Sequence, residues 1–144
     1  MLALAVGLAF ALASAASVAQ NLADPDLRVT PWLTRPHIVD PMAIRFTGPG
    51  EGFLIERAGK VSRFSNGTLT NLLDVTVAPG QERGLLGLAV HPNFSANPFV
   101  YIYYTAGDQS GAWIENRLTR YRWNGSSLVD PLPMGTFGSA ADGQ

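Results

Sequence analysis

Few residues in this chain could carry chemistry. Its 144 residues include no cysteine and two histidines, which excludes a thiol nucleophile, a disulfide and a thiolate metal site within it. His91 precedes Pro92 and Asn93, in a stretch with the composition of a turn. A turn histidine satisfied by backbone is the simpler reading there, because a general base must reach the proton it abstracts. His37 sits among prolines with no acid or nucleophile beside it in sequence. The remaining candidate is Gln81-Glu82-Arg83, three consecutive hydrogen-bonding side chains flanked by Gly80 and Gly84. A carboxamide, a carboxylate and a guanidinium in one loop can orient a ligand. Equally, Glu82 and Arg83 can pair on the surface, where an ion pair contributes little. Asp108-Gln109 offers oxygen ligands or hydrogen bonds, in a Gly/Ser loop where Asp is also an ordinary turn residue.

These groups act only where other elements put them, and the chain reads as strands from Pro41 onward. Leu85, Leu86, Leu88, Ala89 and Val90, interrupted by Gly87 alone, form a short apolar run expected of a strand covered on both faces. Residues 91–98, with Pro92, Asn93, Asn97 and Pro98, read as a turn. Residues 99–105, β-branched and aromatic, read as its antiparallel partner. Upstream, strands are expected at 42–46, 53–57, 61–64 and 70–77, with Asn66-Gly67 closing a tight hairpin whose central residues need positive φ. Downstream, strands at 85–90, 99–105 and 116–123 lead to Asn124-Gly125 as the same kind of hairpin. Residues 128–134 follow as a strand that Pro131 and Pro133 demote to an edge or a loop. The Asn-Gly pairs lie 58 residues apart, a little above the roughly 40 to 50 per blade of four-stranded propeller repeats.

The reading is an all-β chain in which 41–77 and 84–134 are two successive antiparallel blades of a β-propeller. Meander geometry then gathers 57–60, 76–83 and 106–112 at one end, where Gln81, Glu82 and Arg83 reach the mouth of the central channel. Tyr101, Tyr103, Tyr104, Trp113 and Trp123 are expected to fill the space between blades rather than to stack on a sugar.

The wording of one long segment resembles a known family. Gln81-Glu82-Arg83-Gly84-Leu85-Leu86-Gly87-Leu88-Ala89-Val90-His91-Pro92-Asn93-Phe94, followed by Asn97-Pro98-Phe99-Val100-Tyr101-Ile102-Tyr103-Tyr104-Thr105, is similar to the segment near the start of the soluble sugar dehydrogenases that use pyrroloquinoline quinone (PQQ). This is the glucose/sorbosone dehydrogenase family. The likeness extends upstream through Phe53-Leu54-Ile55-Glu56-Arg57-Ala58-Gly59-Lys60-Val61 and downstream to Asn116-Arg117-Leu118-Thr119-Arg120-Tyr121, roughly residues 41–130.

It implies a six-bladed propeller of which this chain is the N-terminal part, with PQQ and calcium as cofactors. It also implies a sugar substrate whose C1 hydroxyl is oxidised to a lactone, a separate electron acceptor, and Gln81, Glu82 and Arg83 facing the quinone. Relatives carry a glutamine two residues before Gly-Leu-Leu-Gly, where this chain has Glu82, with Gln81 one position earlier. A carboxylate beside a quinone needs Arg83 or a metal to balance it. The family's catalytic histidine lies in a glycine-rich motif downstream of the matched region, so no catalytic residue or metal ligand is assigned here. The alternative is a propeller of the same family that keeps the scaffold and serves as a non-catalytic binding module.

Composition bounds the rest. With 47% hydrophobic and 15% charged residues the chain is too apolar for disorder. A net charge of −1 provides no basic field for nucleic acid or anionic lipid. Residues 1–19 are nearly all small or apolar and end Ser17-Val18-Ala19, the small-x-small pattern of a signal peptide, although no Lys or Arg follows Met1. Export to the periplasm or the extracellular space is therefore expected, with no membrane span after the signal is removed, and a retained anchor is the rival reading. Residues 20–40, punctuated by Pro25, Pro31 and Pro36, are a lead-in without regular elements.

Overall fold

Turn residues alternating with β-branched and aromatic runs give eight strands and, among the described residues, no helix. The computed structural model describes residues 26–27, 32–33, 38–78, 80 and 82–139. The expected leader at 1–19 and most of the lead-in lie outside the described residues. The chain divides into units 1–32 and 33–144. Of the first, only Asp26, Leu27 and Trp32 are described, and all are exposed.

The second unit holds two antiparallel sheets, each a meander in chain order. The first contains β1 (Pro41–Gly48), β2 (Glu51–Glu56), β3 (Lys60–Ser65) and β4 (Thr68–Asp74), and the second β5 (Leu85–Val90), β6 (Phe99–Gly107), β7 (Trp113–Trp123) and β8 (Leu128–Ser139). Asn66 and Gly67 take φ of 48° and 77°, the pair of left-handed residues that joins β3 to β4 by a two-residue turn. Asn124 does not repeat this. It is absent from the left-handed residues, and its Oδ1 accepts from the amides of Ser126 at 3.0 Å and Ser127 at 2.9 Å. The β7–β8 connection is therefore a longer loop capped by a side chain.

Three other boundaries differ from expectation, each for a physical reason. β4 stops at Asp74, and Val77 pairs instead with Ala106 of the second sheet, so the chain has already begun to cross. β7 starts at Trp113, because the register with β6 runs on to Gly107 opposite Trp113. β8 is a strand of 12 residues despite its prolines. It is the edge of its sheet, where a missing N–H removes no bond to an outer neighbour.

The core lies between the sheets. Phe53, Ile55 and Val61 of the first sheet meet Leu85, Leu88, Val100, Ile102, Tyr104 and Tyr121 of the second, all nearly or fully buried. Burying each such side chain is worth about 1.5 to 3 kcal/mol. Across this core, the Arg63 guanidinium lies 5.1 Å from the Phe53 ring and 5.4 Å from that of Trp123. It donates to Thr47 Oγ1 at 3.2 Å, to the Gly52 carbonyl at 3.1 Å and to Glu51 Oε2 at 2.7 Å.

β2 is covered on both faces. The same was expected of β5, but there only Leu85 and Leu88 are buried, while Leu86 and Gly87 are half-buried and Ala89 is exposed. On the other face of the second sheet Leu132 is 44% and Phe137 52% exposed.

Candidate functional site

The link from β4 to β5 is stitched to both sheets at one end. Val75 N donates to the Gly59 carbonyl at 2.9 Å, Leu85 N to the Arg57 carbonyl at 2.9 Å, and Ala78 N to the Thr105 carbonyl at 2.9 Å. Residues 57–59, 75–78, 82–84 and 105–112 thus share an end, as the meander requires. Gly84 is a tight point here, as is Gly59, where an added Cβ would sit 2.2 Å from the Val75 carbonyl oxygen. The φ of Gly84 is 133°, and an added Cβ there would sit 2.5 Å from the Arg57 carbonyl oxygen, so no other residue fits between link and turn. Gly84 fixes the direction in which Glu82 and Arg83 leave the sheet.

Of the three predicted residues, Gln81 lies outside the described residues. Glu82 and Arg83 are exposed, and the pairing that would make them an ordinary surface ion pair is absent from the ion pairs of the described residues. Arg83 turns to an aromatic instead, with its guanidinium carbon 5.1 Å from the Trp113 ring. A guanidinium stacked on an indole keeps its charge and its in-plane N–H edges.

Glu82, Arg83 and Trp113 wall a cleft of about 240 Å³ together with Leu86, Tyr103, Thr105 and Asn116. The cleft runs onto the open face of the second sheet, since Thr105 and Asn116 are cross-strand partners on one face. On its other side, Arg83 borders a second cavity of about 320 Å³ with Asp40, Arg57 and Gly80. Arg57 pairs there with Asp40 at 3.3 Å.

Of the aromatics expected between blades, Trp123 and Tyr104 pack between the two sheets, whereas Tyr103 and, at the start of β7, Trp113 line the cleft on the other face of the second sheet. The Trp113 Nε1 is buried and has no hydrogen-bond partner among the described residues, an orphan donor of the kind that costs about 1 to 3 kcal/mol. No spacing rule distinguishes such a tryptophan from a core one. Its place beside the 108–112 loop, at the same end as 82–83, was the available signal.

The other candidates fall away from this site. His91 lies on the β5–β6 loop at the opposite end, where its Nδ1 accepts from the Asn93 amide at 3.1 Å. That is the backbone-satisfied turn histidine expected. His37 lies outside the described residues. Asp108 Oδ1 accepts from Ser110 N at 2.8 Å, Ser110 Oγ at 2.6 Å and Ala112 N at 2.9 Å. The Ser110 hydroxyl and then the Ala112 amide hold its carboxyl below the usual range. That oxygen is occupied within its own loop. Among the described residues no group of three or more His, Asp and Glu converges as a metal site, and no helix is long and apolar enough to cross a membrane.

Comparison with known proteins bears on the same region. The sequence profile of the Glucose / Sorbosone dehydrogenase family matches residues 38–131. Among solved structures, a protein of Thermus thermophilus, provisionally described as an oxidoreductase of glucose dehydrogenase type, is 32% identical with a TM-score of 0.60. The match covers 69% of this chain and 29% of that one. The PQQ-bound aldose sugar dehydrogenase of Streptomyces coelicolor is 24% identical with a TM-score of 0.59, over 70% of this chain and 31% of that one. A further glucose dehydrogenase is 17% identical with a TM-score of 0.59, over 69% and 30%. The last two likenesses speak to fold alone. The two sheets are blades of a β-propeller, and the chain spans less than a third of the length of the structures it matches.

Proposed function

Because the chain belongs to the glucose/sorbosone dehydrogenase family, we propose that it forms part of an exported PQQ-dependent aldose dehydrogenase that oxidises the sugar C1 hydroxyl to a lactone. The observation that carries this reading is the end of the propeller where 82–83, 57–59 and 105–112 meet. There, an arginine and a buried indole N–H, neither with a polar partner among the described residues, border one cleft. PQQ is a polyanionic quinone, and a spare cation beside a spare donor suits it, so the residues present fit the group. Arg83, with Gln81 and Glu82 on the same loop, would hold it. When bound, the quinone supplies the two-electron acceptor to which hydride from the sugar C1 passes. The residues of this chain orient that acceptor and place fixed charge around it.

The described residues do not fit calcium, for want of a converging ligand set, and no role is derived for it from them. His91 is at the wrong end to take the C1 hydroxyl proton. The base is expected from a glycine-rich histidine motif beyond the matched segment.

A second reading draws support from Glu82, whose carboxylate stands where relatives have a glutamine and makes no ion pair among the described residues. A family propeller that binds without oxidising would tolerate it. One experiment separates the two. The full gene product is loaded with PQQ and calcium and assayed for aldose-dependent reduction of an artificial electron acceptor. Sugar-dependent dye reduction is expected, and its absence with bound PQQ present would leave the binding module. Release of the 1–19 segment, read by N-terminal sequencing of exported protein, tests the localisation.

A further inference from the structure

The dipeptide Asn-Gly occurs twice, at Asn66-Gly67 and Asn124-Gly125, and the fold restrains the asparagine side chain at only the second of them. We propose that Asn66 is a site of spontaneous deamidation, at which the chain modifies itself through the Gly67 amide, and that the β7–β8 loop protects Asn124 from the same reaction.

The reaction is an intramolecular acyl substitution. The Gly67 main-chain nitrogen forms a bond to Asn66 Cγ, the Cγ–Nδ2 bond breaks, and ammonia leaves with the proton that the main-chain amide carried. Water then opens the cyclic imide at either carbonyl. Opening at the side-chain carbon gives Asp, and opening at the main-chain carbon gives isoaspartate, whose backbone runs through Cβ and Cγ. Nothing is oxidised or reduced, and water is the one co-reactant. Glycine is the successor residue that permits the attack, because no Cβ shields its nitrogen.

Both dipeptides meet that requirement. All four residues are exposed, and neither glycine nitrogen donates a hydrogen bond among the described residues. They differ at the side chain. Asn124 Oδ1 accepts from Ser126 N at 3.0 Å, Ser126 Oγ at 3.1 Å and Ser127 N at 2.9 Å. The Asn66 side chain makes no hydrogen bond among the described residues. To swing its Cγ onto the glycine nitrogen, Asn124 gives up three bonds to the protein and Asn66 gives up none. Three exposed bonds at the low end of their worth slow the step about tenfold. The same donors polarise the Asn124 carbonyl, so were polarisation the stronger effect, Asn124 would react first.

The lesion falls on a hairpin with no slack. Asn66 and Gly67 take φ of 48° and 77° between Ser65 and Thr68, which face each other across the ladder. Isoaspartate adds a main-chain carbon to this two-residue turn, which fits neither its twist nor its register. β3 is the sole neighbour of β4 in the sheet, and β4 carries Leu72 and Leu73 against the core. Deamidation at Asn66 therefore loosens an outer strand from its turn inward.

The test ages the full gene product in mildly alkaline buffer below its unfolding temperature and maps it by tryptic digestion and mass spectrometry. Cleavage after Arg63 and after Arg122 puts the two sites on separate peptides, which begin at Phe64 and Trp123. Asn71 shares the first peptide and reports background, since Leu72 follows it and its Nδ2 donates to Asp74 Oδ2 at 2.7 Å. Conversion of Asn66 about tenfold faster than Asn124 is expected, with isoaspartate among the products. In urea the two rates should converge, because the restraint on Asn124 is lost with the fold. Asn66→Gly keeps a residue suited to positive φ and removes the reactive amide, so it should abolish the faster amide exchange across 69–73 expected of the aged parent. Asn124 reacting as fast as Asn66 in the folded protein, a difference that persists in urea, Asn66 as intact as Asn71, or equal loosening of β4 in aged Asn66→Gly would each overturn the proposal.

Discussion

The two ends of the propeller blades are built from similar turn residues and finish differently. At the end carrying 49–50, 66–67, 91–98 and 124–127, side chains are spent on their own loops. Asn93 Oδ1 accepts from Ser95 Oγ at 3.1 Å, Asn124 Oδ1 caps its loop, and the Arg63 fork is filled by Thr47, Gly52 and Glu51. At the end carrying 57–59, 75–78, 82–84 and 108–112, Asp108 also caps its own loop and Arg57 pairs with Asp40. Yet Glu82, Arg83 and the Trp113 indole remain without such partners among the described residues. An end whose arginine and loop-capping side chains have found partners reads as scaffold. An end that leaves a cation and a buried donor over is where a ligand would complete the set.

The sharpest way to break this contrast is at the residue that joins link to turn. Gly84→Ala sets a Cβ against the Arg57 carbonyl in a backbone region closed to alanine, and should cost about 3 kcal/mol or more. Urea midpoints would read this, and a midpoint unchanged from the parent would mean that link and turn are not locked together.

Arg63→Ala attacks the opposite end. It removes the guanidinium between Phe53 and Trp123 and strands the Gly52 carbonyl. A loss of about 2 kcal/mol, read from the urea midpoint, is expected. A midpoint unchanged from the parent would remove Arg63 from the scaffold.

Trp113→Phe refines the contrast in the other direction. Removing a buried donor that has no acceptor should leave stability unchanged or raise it by up to about 1 kcal/mol, even as ligand binding falls. A destabilised variant would show that the indole N–H already has a partner.

The smallest effect concerns Asp108. Its carboxyl is held below the ordinary value by the Ser110 hydroxyl and the Ala112 amide. The ordering it gives its loop is therefore fully present above the ordinary carboxylate range and fades only as pH falls through its own lower value. The amide shifts of Ser110 and Ala112 should titrate below the midpoint of about 3.9 typical of an exposed Asp. A midpoint at or above that figure would release Asp108 as a candidate ligand.

How much of this could be read beforehand follows from what each signal encodes. Period and punctuation are local, so the strands around Ile55, Val61, Leu88 and Ile102 were legible, and so was the shared end of the loops, which needs only a count of strand reversals. Asn124 misled because Asn-Gly fits two turns, one using Asn's tolerance of positive φ and one using its side chain as a cap. The edge place of β8 was legible from Pro131 and Pro133, while its run on to Ser139 was not, because Gly135-Thr136-Phe137-Gly138 shows no strand period. The wording singled out the 82–83 loop as a candidate. Trp113 was not legible, because whether an indole faces a core or a cleft depends on a sheet face that no single strand records.

Leu85 hangs from the Arg57 carbonyl, and Gly84 allows nothing between them. The loop that carries Arg83 is therefore anchored to the neighbouring blade and not only to its own. A tilt of one blade against the other would swing the guanidinium across the partition between the two cavities. Arg83 is in this sense a pointer mounted on the joint, and changes that loosen the blades should register in ligand affinity before they register in secondary structure.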